Sequence, residues 1–416
     1  MDIEINAGNE SNVMTIRSKF NSFVAKPSPF PLGLEIVSSH GVYLRDGEGK
    51  AYIDFISGIG VSNLGHGHPE ILQAIHTQTD LYLHTMVYGE HIHSPQVLLA
   101  ELLISKLPDH LSQVYFLSSG TEAIETAMKL ARKTTQRTGI LSCENAYHGS
   151  TYGALSLMSD TSKTTPYAPN LPGVSHIIFN DFQSLDMIDT SVAAVIIELI
   201  QAESGIWMAN REWLKALLNK CKQHEVLIIV DEIQSAMGRS GSLFAMDEYD
   251  FKPDILVLGK SLGGGMPLAA CISSSHMMQS LSDDPPLTHM TTFGGHPLCC
   301  AAGLAALQIL TNTDIVQNSK GKALRFVQKL NHPLIKSIRT TGGLWLAIDF
   351  EDAELVQKLM PIAQDQGLLI DWFLFNDQSI RIAPPLTIND DELDQAADIL
   401  IRSLDLISVS HSVMIP

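Results

Sequence analysis

The sequence has few cysteines and few basic residues, and each shortage excludes a class of protein. Five cysteines occur in 416 residues, their number is odd, and no C-x-x-C pair is present. A disulfide framework is therefore not expected, and a reduced, cytoplasmic compartment fits best. Lysine and arginine total 27 against 45 acidic residues, for a net charge of -18. Because this charge repels phosphate backbones and anionic lipids, we expect no nucleic-acid partner and no membrane partner.

Long apolar runs are also missing. No stretch of about 18 apolar residues occurs, so no membrane-spanning helix is predicted. Residues 1–30 lack the charged-then-apolar order of a signal peptide, and we expect them to form an arm or a short helix. A hydrophobic fraction of 45% with 17% charged residues is typical of a well-buried globular protein. The length predicts about two domains.

Short apolar runs alternate with stretches of helical spacing between about residues 114 and 275. Continuous apolar runs bounded by polar residues or glycine are typical of strands buried on both faces of a parallel sheet. The alternation predicts an α/β domain with a mainly parallel, seven-stranded sheet. The predicted strands are 114–117, 139–142, 175–179, 193–198, 226–231, 254–259 and 268–273.

The flanking sequence predicts a smaller α+β domain. Residues 41–55 contain two alternating runs around a glycine-containing turn, which is typical of a hairpin. Residues 320–405 alternate between helical and strand-like patterns. We expect three regions: an N-terminal arm and hairpin that belong to the small domain (1–60), a large domain (61–305) and a C-terminal small domain (306–416).

Two of the apolar runs lead into ionisable residues that together fit one cofactor. Asp231 ends one run and Lys260 ends another. Because ligands of α/β sheets bind at the carboxyl ends of strands, we expect both residues in one site. Pyridoxal phosphate needs a lysine that bonds to its aldehyde and a carboxylate that keeps its pyridine nitrogen protonated. The sequence therefore predicts Asp231 and Lys260 as catalytic residues of a pyridoxal phosphate site.

The sequence around Lys260 allows two other interpretations. Gly259-Lys260-Ser261 matches the end of a Walker phosphate loop, but Asp254 stands where that loop needs glycine and a strand-like run lies between. An exposed lysine after a strand is the commonplace alternative. The glycine run at 263–265 argues against it, because glycine lets the backbone pack close to a ligand.

The segment after the strand at 114–117 predicts a phosphate site. Ser119 and Glu122 have the spacing of a capping box at the start of a helix. The free N–H groups and the positive dipole at such a helix start suit a phosphate. An ordinary N-cap is the alternative, and the neighbouring cofactor pair favours the phosphate.

Several other residues follow predicted strands and are candidates for the same site. Tyr147 could stack on a planar cofactor, or could be an ordinary core residue. Glu198 and Glu203 are either site residues or solvated loop carboxylates. Directly after the predicted cofactor carboxylate, Ile233 can cover one face of a ring and Gln234 can reach a phenolic oxygen.

The remaining ionisable residues predict no metal site. The histidine pairs at 66/68 and 91/93 have neither the i, i+4 spacing nor the partner residues of a zinc pattern. Arg381 lies within a predicted strand, and an arginine there needs a carboxylate partner from the protein or from a substrate.

Taken in order, these motifs resemble those of the class III (ornithine/acetylornithine-type) pyridoxal-phosphate aminotransferases, of fold type I. The resemblance covers about residues 30–405 and is specific as an ordered set, although no single motif is. Its members are Tyr52-Ile53-Asp54-Phe55, Leu64-Gly65-His66, Ser119-Gly120-Thr121-Glu122-Ala123, Tyr147-His148-Gly149, Asp231-Glu232-Ile233-Gln234, Gly238-Arg239-Ser240-Gly241, Gly259-Lys260 and Thr291-Thr292-Phe293-Gly294-Gly295.

The resemblance implies a role for each matching residue. Lys260 would bond covalently to pyridoxal phosphate and later move a proton, and Asp231 would pair with the pyridinium. Gly120 and Thr121 would hold the phosphate, and Tyr147 would stack on the ring. The other residues that it assigns to the cofactor are Ser119, His148, Glu198, Ile233, Gln234 and Thr292.

The resemblance also implies a homodimer and a switchable substrate site. Thr292 would reach the phosphate of the neighbouring subunit, so the active sites would be shared. Arg381 would bind the carboxylate of a substrate, and Glu203 would shield Arg381 while a diamine-type donor is bound. Thr291 is assigned to the substrate as well.

One departure from the family pattern affects the substrate. Ser150 stands where the family often has arginine, and serine cannot make a bidentate contact with a distal carboxylate. The expected reaction is transfer of an ω-amino group, from a diamine or a diamino acid such as ornithine or acetylornithine, to a 2-oxo acid such as 2-oxoglutarate. An aminomutase or a racemase on the same fold is the alternative. Intact Lys260, Asp231 and Thr292 argue against a protein without catalytic activity.

Overall fold

The seven predicted strands pair into one sheet in the computed structural model, which describes residues 14–29, 31–283 and 285–412. All strands of this sheet run in the same direction except Ala269–Ser273, which is antiparallel to both of its neighbours. The prediction of an α/β domain with a mainly parallel sheet is confirmed. In spatial order the strands are Gln113–Leu117, Ala269–Ser273, Ile255–Leu258, Leu227–Asp231, Val192–Ile197, Gly139–Cys143 and Val174–Ile177.

The central strands are apolar throughout because both faces of the sheet are covered. Ile229 and Val257 belong to the apolar cluster that includes the helix Gly120–Thr135. The adjacent residues Val230 and Leu258 belong to the larger cluster on the opposite face. Successive side chains of a strand point to opposite faces, so continuous apolar runs are needed here instead of an alternating pattern.

Two further sheets lie outside this domain. The predicted hairpin at 41–55 forms, and its second strand pairs with a short strand near residue 368. This contact between the N-terminal and C-terminal regions supports assigning residues 1–60 to the small domain, although the predicted domain limits stay a prediction. Four short strands that the sequence did not predict join these sheets: Ile36–His40, Ser337–Thr340, Leu368–Leu369 and Asp371–Phe373. In spatial order the sheets are Ile36–His40, Tyr43–Asp46, Ala51–Asp54 and Leu368–Leu369, and Ser337–Thr340, Leu346–Asp349, Asn376–Ile382 and Asp371–Phe373; a ribbon pairs Ile200–Gln201 with Trp207–Met208.

The helices cover the sheets and connect the strands. The expected short helix near the N-terminus lies at 16–23, while residues 1–13 lie outside the described part of the chain. The helices are Ile16–Phe23, Ser57–Gly60, Pro69–Leu81, Ser94–Ile104, Gly120–Thr135, Tyr152–Ser156, Thr161–Thr164, Arg211–His224, Ala245–Tyr249, Ser275–Gln279, Pro297–Asn312, Ile315–Lys329, Ala353–Asp365 and Asp390–Ser412, with 3₁₀ turns at Thr165–Tyr167, Gln183–Met187 and Lys260–Gly263.

Within the described ranges, no single helix has the length and apolar composition needed to cross a membrane. The bent pair Pro297–Asn312 and Ile315–Lys329 meets that test by length and composition alone.

Candidate active site

The carboxyl ends of two neighbouring strands bring Asp231 and Lys260 to one cavity. Asp231 is the last residue of its strand, as predicted. The strand before Lys260 ends earlier than predicted, at Leu258, and Lys260 begins a 3₁₀ turn. The physical reason is the backbone at Lys260, whose φ of +48° turns the chain out of the sheet. A non-glycine residue in this region is strained, and such residues cluster at functional sites.

The helix Gly120–Thr135 begins at the same cavity with a capping box. The Ser119 hydroxyl accepts from the Glu122 N–H, and the Glu122 carboxylate accepts from the N–H groups of Ser118 and Ser119. No described residue accepts a hydrogen bond from the N–H of Gly120 or Thr121. The predicted helix start is therefore confirmed, and its two free N–H groups can bind an anion.

Glycine is required at two positions around this helix start. A Cβ atom on Gly120 would lie 2.8 Å from the Ile233 side chain. At Gly149 the φ is +130°, and a Cβ atom would overlap the Thr121 hydroxyl. The absence of both side chains lets Ile233 and the Tyr147 loop close around the helix start.

The cavity has a volume of about 300 Å³, and one cofactor-sized heteroaromatic phosphate would occupy it. Asp231 and Glu198 line this cavity together with Lys260. The predicted cofactor residues on its lining are Gly120, Thr121, Tyr147, His148, Glu198, Asp231, Ile233, Gln234 and Lys260.

Asp231 is held by hydrogen bonds to both of its carboxylate oxygens. His148 Nδ1 lies 2.7 Å from Oδ2, and the Ile233 N–H donates to Oδ1 at 2.9 Å. Although burial opposes a charged imidazole, the hydrogen bond and the charge of Asp231 raise the pKa of His148. A fixed, buried carboxylate of this kind suits a cationic ring nitrogen, because burial strengthens the attraction between charges.

Glu198 adds a second acid to the cavity wall. Its Oε1 accepts from the Ala202 N–H at 3.2 Å, and its Oε2 has no partner among the described residues. Burial raises the pKa of Glu198 to about 8. A buried oxygen without a partner is costly unless a ligand group reaches it, so the residues present fit a polar cofactor such as pyridoxal phosphate.

Lys260 connects this cavity to a larger one. Its side chain lines both, and burial lowers its pKa to about 8. A lysine with a lowered pKa is available as a neutral amine near neutral pH, as a nucleophile or a proton carrier must be. The larger cavity has a volume of about 1000 Å³ and is open to solvent.

The larger cavity contains the predicted substrate pair. Arg381 Nη1 donates to Glu203 Oε1 at 2.5 Å, and both side chains are nearly buried. Burial opposes ionisation of Glu203, but the charge and the hydrogen bond of Arg381 lower its pKa. Gln234 joins the two cavities, because its amide oxygen accepts from Arg381 and its nitrogen donates to Glu203 at 3.4 Å.

Ser150 lies on the wall of the larger cavity, where its hydroxyl is 3.0 Å from the Tyr147 hydroxyl. Three other predicted residues line neither cavity of this chain. Ser119 caps the helix that begins beside the smaller cavity. Thr292 is exposed, and Thr291 is half-buried beside it.

Sequence reasoning missed part of the substrate wall. Asp371 and Lys163 line the larger cavity together with the aromatic residues Tyr152, Tyr167 and Trp372. Asp371 could have been found only by predicting a short strand before residues 376–382, because antiparallel pairing of these two strands places it across from Arg381. No comparable pattern marked the other residues.

One histidine of each pair has a structural partner. His66 Nε2 lies 2.8 Å from Asp54 Oδ2, and His93 Nε2 lies 3.0 Å from the Met86 carbonyl oxygen. The described residues contain no group of three or more ligands placed to hold a metal ion.

Comparisons with known proteins agree with this geometry. The family model "Aminotransferase class-III" matches residues 24–404. An acetylornithine aminotransferase of Caldanaerobacter subterraneus subsp. tengcongensis is 36% identical over 88% of this chain and 93% of its own length. One from Mycolicibacterium smegmatis is 35% identical over 94% of this chain and 98% of its own length. The structure of an ornithine aminotransferase from Toxoplasma gondii superimposes with a TM-score of 0.87 at 28% identity, over 94% of both chains. The chain belongs to the class-III aminotransferases, which are pyridoxal-phosphate-dependent transaminases of fold type I.

Proposed function

We propose that this transaminase moves the ω-amino group of a diamine or a diamino acid to a 2-oxo acid, with 2-oxoglutarate as acceptor. The observation that carries the proposal is the Glu203–Arg381 pair in the cavity next to Lys260. Relatives that are named acetylornithine aminotransferases support it, because acetylornithine carries such an ω-amino group.

In this proposal the cofactor residues of the chain bind and position. The Gly120 and Thr121 N–H groups hold the phosphate, Tyr147 and Ile233 enclose the ring, and Asp231 keeps a positive charge on the ring nitrogen. When bound, pyridoxal phosphate supplies an aldehyde that carries the amino group and a ring that accepts electrons. Lys260, whose lowered pKa of about 8 leaves part of it as the neutral amine near neutral pH, removes and returns the proton at the reacting carbon.

The paired side chains let one pocket accept two kinds of substrate. An ω-amine has no carboxylate on its reacting carbon, so Glu203 stays on Arg381 and keeps that cation neutralised. A 2-oxo acid has such a carboxylate, so Glu203 moves aside and Arg381 binds the substrate instead. The exchange leaves the number of carboxylates on Arg381 unchanged.

The proposal includes a cytoplasmic homodimer with shared sites. The segment that carries Thr292 presents exposed apolar side chains, among them Leu287, Met290 and Phe293. Such a patch is typical of an interface. All five cysteines are buried and unpaired, which supports a reducing compartment. Sedimentation of the purified protein tests the assembly, and a monomer with full activity would contradict it.

The donor class is tested with a panel of amines. Ornithine, N-acetylornithine, 1,4-diaminobutane and 4-aminobutanoate are each supplied with 2-oxoglutarate, and glutamate formation is measured. We expect at least one ω-amine donor to form glutamate at a rate that depends on both substrates. Glutamate formed from none of the four donors, or formed from ornithine only with loss of its α-amino group, would overturn the proposed donor class.

A further inference from the structure

Arg381 is contacted by a second carboxylate, Asp371. The short strand Asp371–Phe373 pairs antiparallel with the strand Asn376–Ile382, and Asp371 lies directly opposite Arg381 in that register. Directly opposed residues of paired strands have neighbouring side chains. Asp371 therefore reaches Arg381 from the sheet itself, whereas Glu203 reaches it from a separate loop.

The two carboxylates occupy different edges of the guanidinium group. Asp371 accepts from Nε and Nη2, each at 3.2 Å, which is a side-on pair. Glu203 accepts from Nη1 at 2.5 Å and from Nη2 at 3.5 Å, which is an end-on pair. The Trp372 carbonyl oxygen accepts from Nη2 at 2.9 Å, and the Phe373 ring lies 5.0 Å from the guanidinium carbon. When Glu203 leaves, Asp371, Trp372 and Phe373 still hold Arg381 in place.

The second carboxylate also changes the charge of the substrate site. Arg381 with Glu203 alone would be neutral, and an ionised Asp371 makes these three side chains net negative by one charge. Burial raises the pKa of Asp371 to about 6, so its carboxyl is ionised at neutral pH. When Glu203 moves away from Arg381, its charge stays in the cavity, so the net charge of the substrate site does not change. The other cation on the outer wall, Lys163, is paired with Asp160 at 3.4 Å, and its side chain is 37% exposed. Solvent therefore screens Lys163, while the charge of the nearly buried cluster acts on whatever enters the cavity.

We propose that Asp371 determines donor specificity by holding Arg381 side-on and by giving the substrate site a net negative charge, which favours donors with a second ammonium group over donors with a distal carboxylate. This inference rests on the proposed ω-transaminase function. It applies to diamines, whose second group is only a cation, and Ser150 agrees with it because serine offers no charge to a distal carboxylate.

The test uses two donors of equal length and opposite distal charge. The value of kcat/KM is measured for 1,4-diaminobutane and for 4-aminobutanoate, with the holoenzyme and its Asp371→Asn variant. We expect the wild-type protein to prefer the diamine. In the variant the ratio of the two values should fall about tenfold, because one charge at the wall of a partly solvated site changes the affinities for cation and anion in opposite directions.

A binding measurement gives a readout that does not depend on turnover. Glutarate, an unreactive dicarboxylate, is titrated into each protein by calorimetry. Its dissociation constant should fall about fivefold in Asp371→Asn, since the site becomes less negative. A purely structural role for Asp371 would weaken glutarate binding and would slow both donors together.

Control variants separate charge from folding. Asp371→Glu keeps the charge and should keep the donor ratio. Asp394→Asn removes a carboxylate of the same side-on geometry, on Arg325 at the surface, and should leave the ratio unchanged. If Asp371→Asn does not fold, Asp371→Ser is the second neutral variant.

Three results would overturn the inference: an unchanged donor ratio with an unchanged glutarate affinity, a parallel loss for both donors, or a wild-type preference for 4-aminobutanoate. If neither amine forms glutamate in the wild-type protein, the proposed function fails, and the glutarate titration alone decides the role of Asp371.

Discussion

The cofactor half and the substrate half of the active site are built in different ways. The cofactor half (Ser119–Thr121, Asp231–Gln234 and Lys260) comes from segments that directly follow strands of one sheet. The substrate half (Ser150, Glu203, Asp371 and Arg381) is assembled from loops and from a hairpin of the C-terminal region. A change in the first half should affect all donors equally, while a change in the second should redistribute activity among donors.

The largest expected effect is that of Lys260→Ala. Turnover should fall by at least about 10⁴-fold for every donor, because both the covalent attachment and a positioned proton carrier are lost. Kinetics with the donor panel measure this effect, and the exposed Lys252 provides the control variant Lys252→Ala. Turnover that survives with any one donor would place the chemistry elsewhere.

Asp231→Asn should have the next largest effect. Removing one partner of a buried charge pair costs about 3–5 kcal/mol, which corresponds to roughly 10²–10⁴-fold in kcat/KM. The loss should be the same for all donors, and the affinity for pyridoxal phosphate should fall as well. Asp398→Asn, at an exposed position, is the matched control. A loss confined to one donor would contradict the assignment of Asp231 to the cofactor half.

The lowered pKa of Lys260 predicts how fast cofactor-free protein takes up pyridoxal phosphate at different pH values. Attack requires the neutral amine, and burial lowers the pKa of Lys260 to about 8. The rate of covalent uptake, followed by absorbance, should therefore rise roughly 90-fold between about pH 6 and pH 9 and then level off. A rate that keeps rising to about pH 10.5 would show that Lys260 is solvated like a surface lysine.

The smallest expected effect belongs to the substrate half. Ser150→Arg should raise kcat/KM for 4-aminobutanoate about tenfold, because arginine can bind the distal carboxylate in bidentate fashion. The same variant should leave kcat/KM for 1,4-diaminobutane unchanged or lower it. Equal changes for both donors would remove Ser150 from the residues that set specificity.

The same contrast explains what the sequence could predict. Asp231 and Lys260 could be found because each comes directly after a short apolar run, and the ends of neighbouring parallel strands meet. The capping box at Ser119 could be found because its spacing is local. All seven strands of the large sheet lie where their apolar runs predicted them. The five inner strands have the clearest pattern, because they are buried almost throughout.

The rest depends on contacts that no local pattern encodes. Asp371 was missed because its strand has only three residues, and its contact with Arg381 exists only in one register of a hairpin. The strand before Lys260 ends early because the backbone at that lysine is left-handed. The residue type gives no indication of this conformation. Lys163 and Tyr167 line the same cavity as Ser150 but are separated from it in the sequence by a segment of irregular structure and short helices. Their positions therefore could not be predicted from local patterns.

The most direct test of transamination at Lys260 is a reaction in which the purified holoenzyme receives an ω-amine donor and no 2-oxo acid. Released aldehyde is counted per subunit by mass spectrometry. We predict one equivalent per subunit, after which release stops until 2-oxoglutarate is added and glutamate appears in equal amount. Continuous conversion of the donor without any 2-oxo acid would contradict transamination and would indicate an aminomutase or a racemase.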